Sequence, residues 1–229
     1  MKYTNKHMVL LDMGGTLVDP YPSVGHIYAK TARRFGMVID ADDTNRVFAA
    51  KFHAKAAEAA LMSVGTEKRW WYELVDEVVG ELCMPRSFDA FFEEVYHYFT
   101  LPRAWMIYPD VMPFLEELRE RGIRAAIVSN WDSRLIGLCE RLGITSWVEF
   151  VVVSAIVGSA KPDAGIFNHA LERAGITAEQ AIYVGDNVEM DVRGAMGVGM
   201  DAVLIDRGNR CRYEVPRRVT ALTDILSMM

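Results

Sequence analysis

Four apolar residues, Met8-Val9-Leu10-Leu11, run uninterrupted into Asp12 and then into Gly14-Gly15. Such a run closed by a glycine pair predicts a short buried strand that bends sharply at its end. The pattern recurs downstream. Ile123 to Val128 ends in Ser129-Asn130. Phe150 to Val153 leads through Ser154 and a glycine-bearing loop to Lys161-Pro162-Asp163. Ala181 to Val184 ends in Gly185-Asp186-Asn187, and Ala202 to Ile205 forms a last strand. Helical periodicity fills the gaps. One helix starts at Asp110, carries Phe114, Leu115 and Leu118, and ends at Gly122. A second spans Ser133 to Leu142. A third opens with Pro162 as a first helical residue and carries Ile166, Phe167, Ala170 and Leu171. A short one runs around Val188 to Met196. Thr177 and Gln180 have capping-box spacing, which marks a helix start or only a turn.

Alternating strands and helices of these lengths predict an α/β fold, a Rossmann-like doubly wound parallel sheet covered on both faces. The stretch between the first two strands has a different character. Ile27, Ala32 and Phe35 share a helical face ended by Gly36. Asp42 to Met62 is Ala-rich and carries Val47, Phe48, Phe52 and Leu61. Thr66 is placed to cap a helix with Trp70, Trp71, Leu74, Val75 and Val78, and Ser87 one with Phe88, Phe91, Phe92, Val95 and Phe99. Aromatics at this spacing read as helix-packing core. The expected organisation is a core of residues 1–17 and 107–229 interrupted by a helical cap at 18–106. Pro-bearing linkers near Asp19–Pro22 and Leu101–Pro109 suit a domain that rocks over the sheet edge.

Composition narrows the picture. The 229 residues are 51% hydrophobic and 24% charged, enough for a sizeable core. A net charge of −6 gives no basic field for nucleic acid. The one local cluster, Arg207, Arg210, Arg212, Arg217 and Arg218, reads as solvated surface. Three cysteines without a CxxC pair suit a reducing compartment. No apolar run reaches the roughly 20 residues of a membrane span. The N-terminus, with Lys2 and Lys6, does not read as a secretory signal. The expectation is a cytoplasmic protein, monomer or homodimer, without nucleic-acid or membrane partners.

The strand ends carry the candidate chemistry. In open α/β sheets ligands bind at the carboxyl edge. There each core strand delivers a polar group in turn: Asp12, Ser129, Lys161 and Asp186. Each alone has a plainer reading, as a turn Asp, a cap, a surface lysine or a second turn residue. Together they describe one site. Asp12 and Asp186, with Asp191 or Glu189, form a hard oxygen set suited to Mg²⁺, because carboxylates this close repel unless a cation lies between them. Ser129 and the Asn130 amide offer donors to an anion, and Lys161 adds positive charge. An anion, a metal and a free carboxylate oxygen point to phosphoryl transfer to Asp12.

Four motifs, Asp12-Met13-Gly14-Gly15-Thr16-Leu17, Val128-Ser129-Asn130, Lys161-Pro162-Asp163 and Gly185-Asp186-Asn187-Val188-Glu189-Met190-Asp191, together resemble the haloacid dehalogenase-like superfamily, in its phosphatase branch with a helical cap. The resemblance implies that Asp12 is a nucleophile forming an aspartyl-phosphate. It implies Mg²⁺ on Asp12, Asp186 and the Gly14 carbonyl, and phosphoryl binding by Ser129, Asn130, Lys161 and Gly15. Asp191 would orient Lys161 or support the metal, and a small phosphorylated metabolite would be the substrate. One position departs. The family's phosphatases carry a second Asp two residues after the nucleophile, where this chain has Gly14. That group protonates the leaving oxygen, a contribution of roughly 10²–10⁴-fold. Three explanations follow: substrates with good leaving groups or an acid borrowed from the cap or the substrate, a slowly hydrolysed phospho-enzyme, or binding without turnover. His26, His53, Glu58 and Glu73 lie in the insert, where ordinary helix surface is their plainer reading. Two sister chemistries also lack that Asp. The 2-haloacid dehalogenases share Ser129-Asn130 but not the acidic pair Asp186/Asp191. The phosphonate-cleaving members need a cap lysine, for which Lys51 and Lys55 are candidates.

Overall fold

The computed structural model describes residues 6–59 and 62–229. Its strands are β1 (Met8–Leu11), β2 (Val18–Pro20), β3 (Trp105–Ile107), β4 (Arg124–Ser129), β5 (Val151–Val153), β6 (Ala181–Gly185), β7 (Asp201–Ile205) and β8 (Arg218–Val219). Its α-helices are α1 (Val24–Arg34), α2 (Ala41–Ala54), α3 (Ala56–Ala59), α4 (Glu67–Leu82), α5 (Phe88–Tyr98), α6 (Val111–Glu120), α7 (Arg134–Arg141), α8 (Ser154–Val157), α9 (Ala164–Ala174) and α10 (Gly194–Gly197).

Six strands pair in parallel in the order β5-β4-β1-β6-β7-β8. β1 is central, with Leu11 level with Ile127 of β4 and Val184 of β6. The unbroken apolar run of β1 follows from this position, because both of its faces are covered. Val9 and Leu11 pack with Phe114 and Leu118 of α6 and Leu135 and Leu138 of α7. Met8 and Leu10 pack on the other face with Ile166, Phe167 and Ala170 of α9. Burying each such side chain contributes roughly 1.5–3 kcal/mol.

A third apolar cluster belongs to the helical block. Tyr28, Ala32, Trp70, Leu74, Val78, Phe91, Phe92 and Val95 form it, and Ala155 of α8 reaches in from the sheet side. The two connecting stretches are more ordered than their Pro content suggests. β2 and β3 form an antiparallel pair, Val18 against Ile107 and Pro20 against Trp105. The 3-residue strands escape a periodicity reading because their pairing spans the whole inserted block.

Several local expectations are corrected. The Ala-rich helix is divided, with α2 closing at Lys55 before α3; Leu61, like Lys2, lies outside the described residues. Thr66 and Ser87 occupy the cap positions of α4 and α5 without side-chain capping bonds. Ser23 and Asp40 do cap, accepting from His26 and from Asp42 and Asp43. Pro162 precedes α9 rather than opening it, because the Asp163 carboxylate takes the N-cap place and accepts from Gly165 N–H. The short helix expected around Val188 to Met196 is present, as a π-helix over Val188–Arg193 that runs on into α10.

Candidate active site

Because β4, β1 and β6 are neighbours in register, Ser129, Asp12 and Asp186 emerge side by side at one edge. The Asp12 backbone continues the ladder, its N–H donating to Val184 O at 2.9 Å. Lys161 comes in from the loop after α8. Its Nζ lies 2.7 Å from Asp12 Oδ1 and 2.6 Å from Asp191 Oδ1. It also donates to the Tyr183 hydroxyl at 2.9 Å, which in turn donates to Val128 O at 2.7 Å. Lys161, Asp12 and Asp191 are all buried. Buried charges persist only when paired. Burial pushes the Lys161 ammonium down, and the two carboxylates more than reverse that, so it stays protonated well into the alkaline range.

Asp186 completes the group. One carboxylate oxygen from each of Asp12, Asp186 and Asp191 lies within 4.8 Å of the others. Desolvation, then the charges of Asp12 and Asp191, push Asp186 up to about 7. A divalent cation would relieve that repulsion, and an all-oxygen set matches Mg²⁺. The donor chemistry therefore fits the ion. The Asp191 carboxylate already holds Lys161 and accepts Asn187 N–H at 2.9 Å, which leaves Asp12 and Asp186 as the side chains with oxygens to offer. Glu189 is not part of the group; it pairs on the surface with Arg193 at 2.5 Å.

Glycines make the convergence possible. Gly15 has φ +70°, and a Cβ there would lie 2.3 Å from Asp186 Oδ2. A Cβ at Gly185 would lie 2.2 Å from Asp191 Cγ. The Asn130 side chain is engaged with the Lys161 backbone, donating to its O at 2.9 Å and accepting from its N–H at 2.7 Å. It thus ties the Ser129 strand end to the lysine loop. Gly14 faces an indole: a Cβ at this position would lie 3.4 Å from Cζ3 of Trp131.

Sequence reasoning missed two sets of residues. Tyr183 reads as an apolar strand position, and only the strand order brings its hydroxyl to Lys161. The second set lies directly after Asn130. Buried Asp132 accepts from Trp71 Nε1 at 2.7 Å, from Arg134 Nε at 2.8 Å and from Arg134 Nη2 at 2.7 Å. Arg134 stacks 3.6 Å over the Tyr96 ring and donates to Tyr96 O at 2.7 Å. Buried Glu67 accepts from Ser133 N–H at 2.9 Å and from its hydroxyl. One loop thus carries both anion-site candidates and polar contacts to the helical block. The run Trp131-Asp132-Ser133-Arg134 beside Asn130 was its only sequence signal. Arg207, read as solvated, instead pairs with Asp110 at 3.0 Å and donates to Thr16 O at 2.6 Å, bracing the turn after Asp12.

The helical block's other candidates are engaged locally. Lys51 pairs with Glu81, and Lys55 with Glu58, Glu73 and Glu77. Bonding to Glu58 and Glu77 pushes the Lys55 ammonium up, against partial desolvation, the opposite of what an amine nucleophile needs. His26 bonds Ser23 Oγ at 2.9 Å. Among the described residues no helix is long and apolar enough to cross a membrane.

Comparison with known proteins follows the same lines. The sequence model for haloacid dehalogenase-like hydrolases matches residues 7–199. Haloacid dehalogenase-like hydrolase domain-containing protein 3 of Danio rerio is 29% identical over 217 residues, covering 91% of this chain and 89% of that one. Ribulose-1,5-bisphosphate 5-phosphatase of Halopiger xanaduensis is 30% identical over 203 residues, covering 86% and 84%. Among solved structures, a HAD phosphatase from Thermococcus onnurineus superposes with TM-score 0.68 at 25% identity, covering 96% of each chain.

Proposed function

The chain belongs to the haloacid dehalogenase-like hydrolase family, and from that premise we propose that it is a Mg²⁺-dependent phosphatase acting on a small phosphorylated metabolite through an aspartyl-phosphate on Asp12. The observation that carries this reading is the convergence of Asp12, Lys161 and Asp186 at one sheet edge. Asp12 attacks phosphorus, and the bond from phosphorus to the leaving oxygen breaks. Lys161 offsets the charge of the phosphoryl oxygens, and Ser129 and the Asn130 backbone N–H bind them, while the Gly15 N–H is already donated to Val18 O at 2.9 Å. Asp191 and Tyr183 hold the lysine at its place. Asp12, Asp186 and the Gly14 carbonyl would hold Mg²⁺, which when bound would supply positive charge to offset that of the phosphoryl oxygens. The block at residues 18–106 acts as a cap that excludes water and selects the substrate.

The acidic pair Asp186/Asp191 favours this reading over a metal-free 2-haloacid dehalogenase. Gly14 favours one second reading, a phospho-ligand-binding module with little turnover. Steady release of phosphate from a panel of phosphate esters would exclude it. The direct test of the phosphatase is Mg²⁺-dependent phosphate release from 4-nitrophenyl phosphate. Wild type should turn over and Asp12→Asn should not; equal activity would remove Asp12 from the mechanism.

A further inference from the structure

Gly14 is more than a missing side chain, because an aromatic ring stands in front of it. The nearest atom to a Cβ built there is Cζ3 of Trp131, at 3.4 Å. Trp131 is held firmly. Its N–H donates to Ser154 Oγ at 3.1 Å, and its carbonyl accepts from Ser154 Oγ at 3.2 Å and Ala155 N–H at 3.3 Å. Its ring packs on Trp105, with centroids 5.1 Å apart, and Trp105 packs on Phe99 at 5.8 Å. Trp131 is only half-buried, so part of the indole stays open to solvent. An indole N–H does not ionise at neutral pH and cannot replace a carboxylic acid as proton donor. The Lys161 ammonium is committed to Asp12 and Asp191. Two residues from the nucleophile, the site thus presents an aromatic surface where a proton donor would stand.

We infer that the substrates are phosphate esters or anhydrides whose leaving group is planar and departs as an anion stable at neutral pH, the class that includes aryl and acyl phosphates. This rests on the phosphatase reading and narrows it. Asp12 Oδ forms a bond to phosphorus while the bond from phosphorus to the leaving oxygen breaks. The electron pair stays on that oxygen as phenolate or carboxylate, so no proton is required. Water then attacks the phosphorus of the aspartyl-phosphate and gives its protons to phosphate and solvent. The bond to Asp12 breaks, and orthophosphate and the free carboxylate are regenerated. The Trp131 face receives the departing planar group.

The test is a leaving-group series measured as kcat/KM with Mg²⁺: 2,4-dinitrophenyl, 4-nitrophenyl, phenyl and ethyl phosphate, with acetyl and benzoyl phosphate as the acyl arm. Wild-type kcat/KM should fall steeply as leaving-group basicity rises, with ethyl phosphate slowest. Compared with Trp131→Ala, the double variant Gly14→Asp/Trp131→Ala should raise the ethyl and phenyl rates by about 10²–10⁴-fold and gain far less on dinitrophenyl phosphate, whose leaving group needs no proton. Trp131→Ala alone should lower the aryl and benzoyl rates about 3–10-fold relative to acetyl phosphate. Trp131→Phe, which keeps a ring, should keep that preference, and thermal melting of each variant separates misfolding from chemistry. A shallow wild-type slope overturns the inference, because a proton donor then exists elsewhere. So does a loss confined to poor leaving groups in Asp19→Asn, since Asp19, on β2 and bonded to Tyr108 just after β3, would then be the donor. Failure of the phosphatase reading looks different: no Asp12-dependent turnover of any member of the series.

Discussion

Replacing Lys161 by Met keeps the length of the side chain and removes the charge that two buried carboxylates share. Asp12 and Asp191 lie 2.7 and 2.6 Å from Nζ, and the three side chains are 11%, 1% and 3% exposed. Removing one partner of a buried ion pair costs about 3–5 kcal/mol, because an uncompensated charge is left behind. In the wild type, Lys161 has its folded pKa above the unfolded 10.5, so its contribution is fully present below that value and lost only as pH rises through the folded one. In Lys161→Met the carboxylates lose their cation, and Asp191, which burial already holds above the unfolded 3.8 against the pull of Lys161, is pushed up further. The folded variant then binds more protons than the unfolded chain, so it gains stability as pH falls from neutral towards that value. The deficit against wild type should be largest near neutrality and shrink under mild acid. Urea denaturation with a chelator present, at about pH 8 and about pH 5.5, measures it. A deficit below about 1 kcal/mol, the worth of an exposed pair, or one that does not change with pH, would refute the reasoning.

Gly15→Ala should lose Mg²⁺ affinity and activity, because the methyl would lie 2.3 Å from Asp186 Oδ2. Gly36→Ala, at φ +74° with nothing within 4 Å, should show only the backbone cost of about 1–2 kcal/mol in a denaturation experiment. With Asp186 pushed up to about 7, calorimetric titration should find Mg²⁺ affinity flat above that pH and falling about tenfold per pH unit below it. The metal-free protein should lose stability as pH rises from the unfolded 3.8 through about 7, and Mg²⁺ should restore it. Asp132→Ala leaves Arg134 and Trp71 Nε1 without their carboxylate, so it should cost about 3–5 kcal/mol and raise KM more than it lowers kcat.

The legible parts of the chain were those whose physics is local. A strand covered on both faces shows as an apolar run, so β1, β4 and β6 and the polar residues ending them could be read directly. Helix ends marked by Gly36, Gly122, Gly143 and Gly175 were equally plain, since each sits at positive φ. What depended on distant partners stayed hidden. Asp110 read only as the start of a helix, while its carboxylate holds Arg207 and accepts Leu222 N–H at 2.6 Å. Pro162 looked like a first helical residue because the Asp163 cap competes with the same sequence signal. Glu67 and Trp71 looked like ordinary positions of a helix, although both reach the loop beyond Asn130, more than 60 residues away. The Gly14 gap was legible, but the indole that faces it was not, because Trp131 meets it only through the adjacency of β1 and β4.

The central claim is that phosphoryl passes through Asp12. Rapid quenching of the enzyme with Mg²⁺ and 4-nitrophenyl phosphate, followed by peptide mass spectrometry, tests it most directly. A phosphoryl adduct on the peptide containing Asp12, formed at the rate of the 4-nitrophenolate burst and absent from Asp12→Asn, is the expected result. Turnover with no adduct at Asp12, or an adduct that survives the substitution, would contradict it.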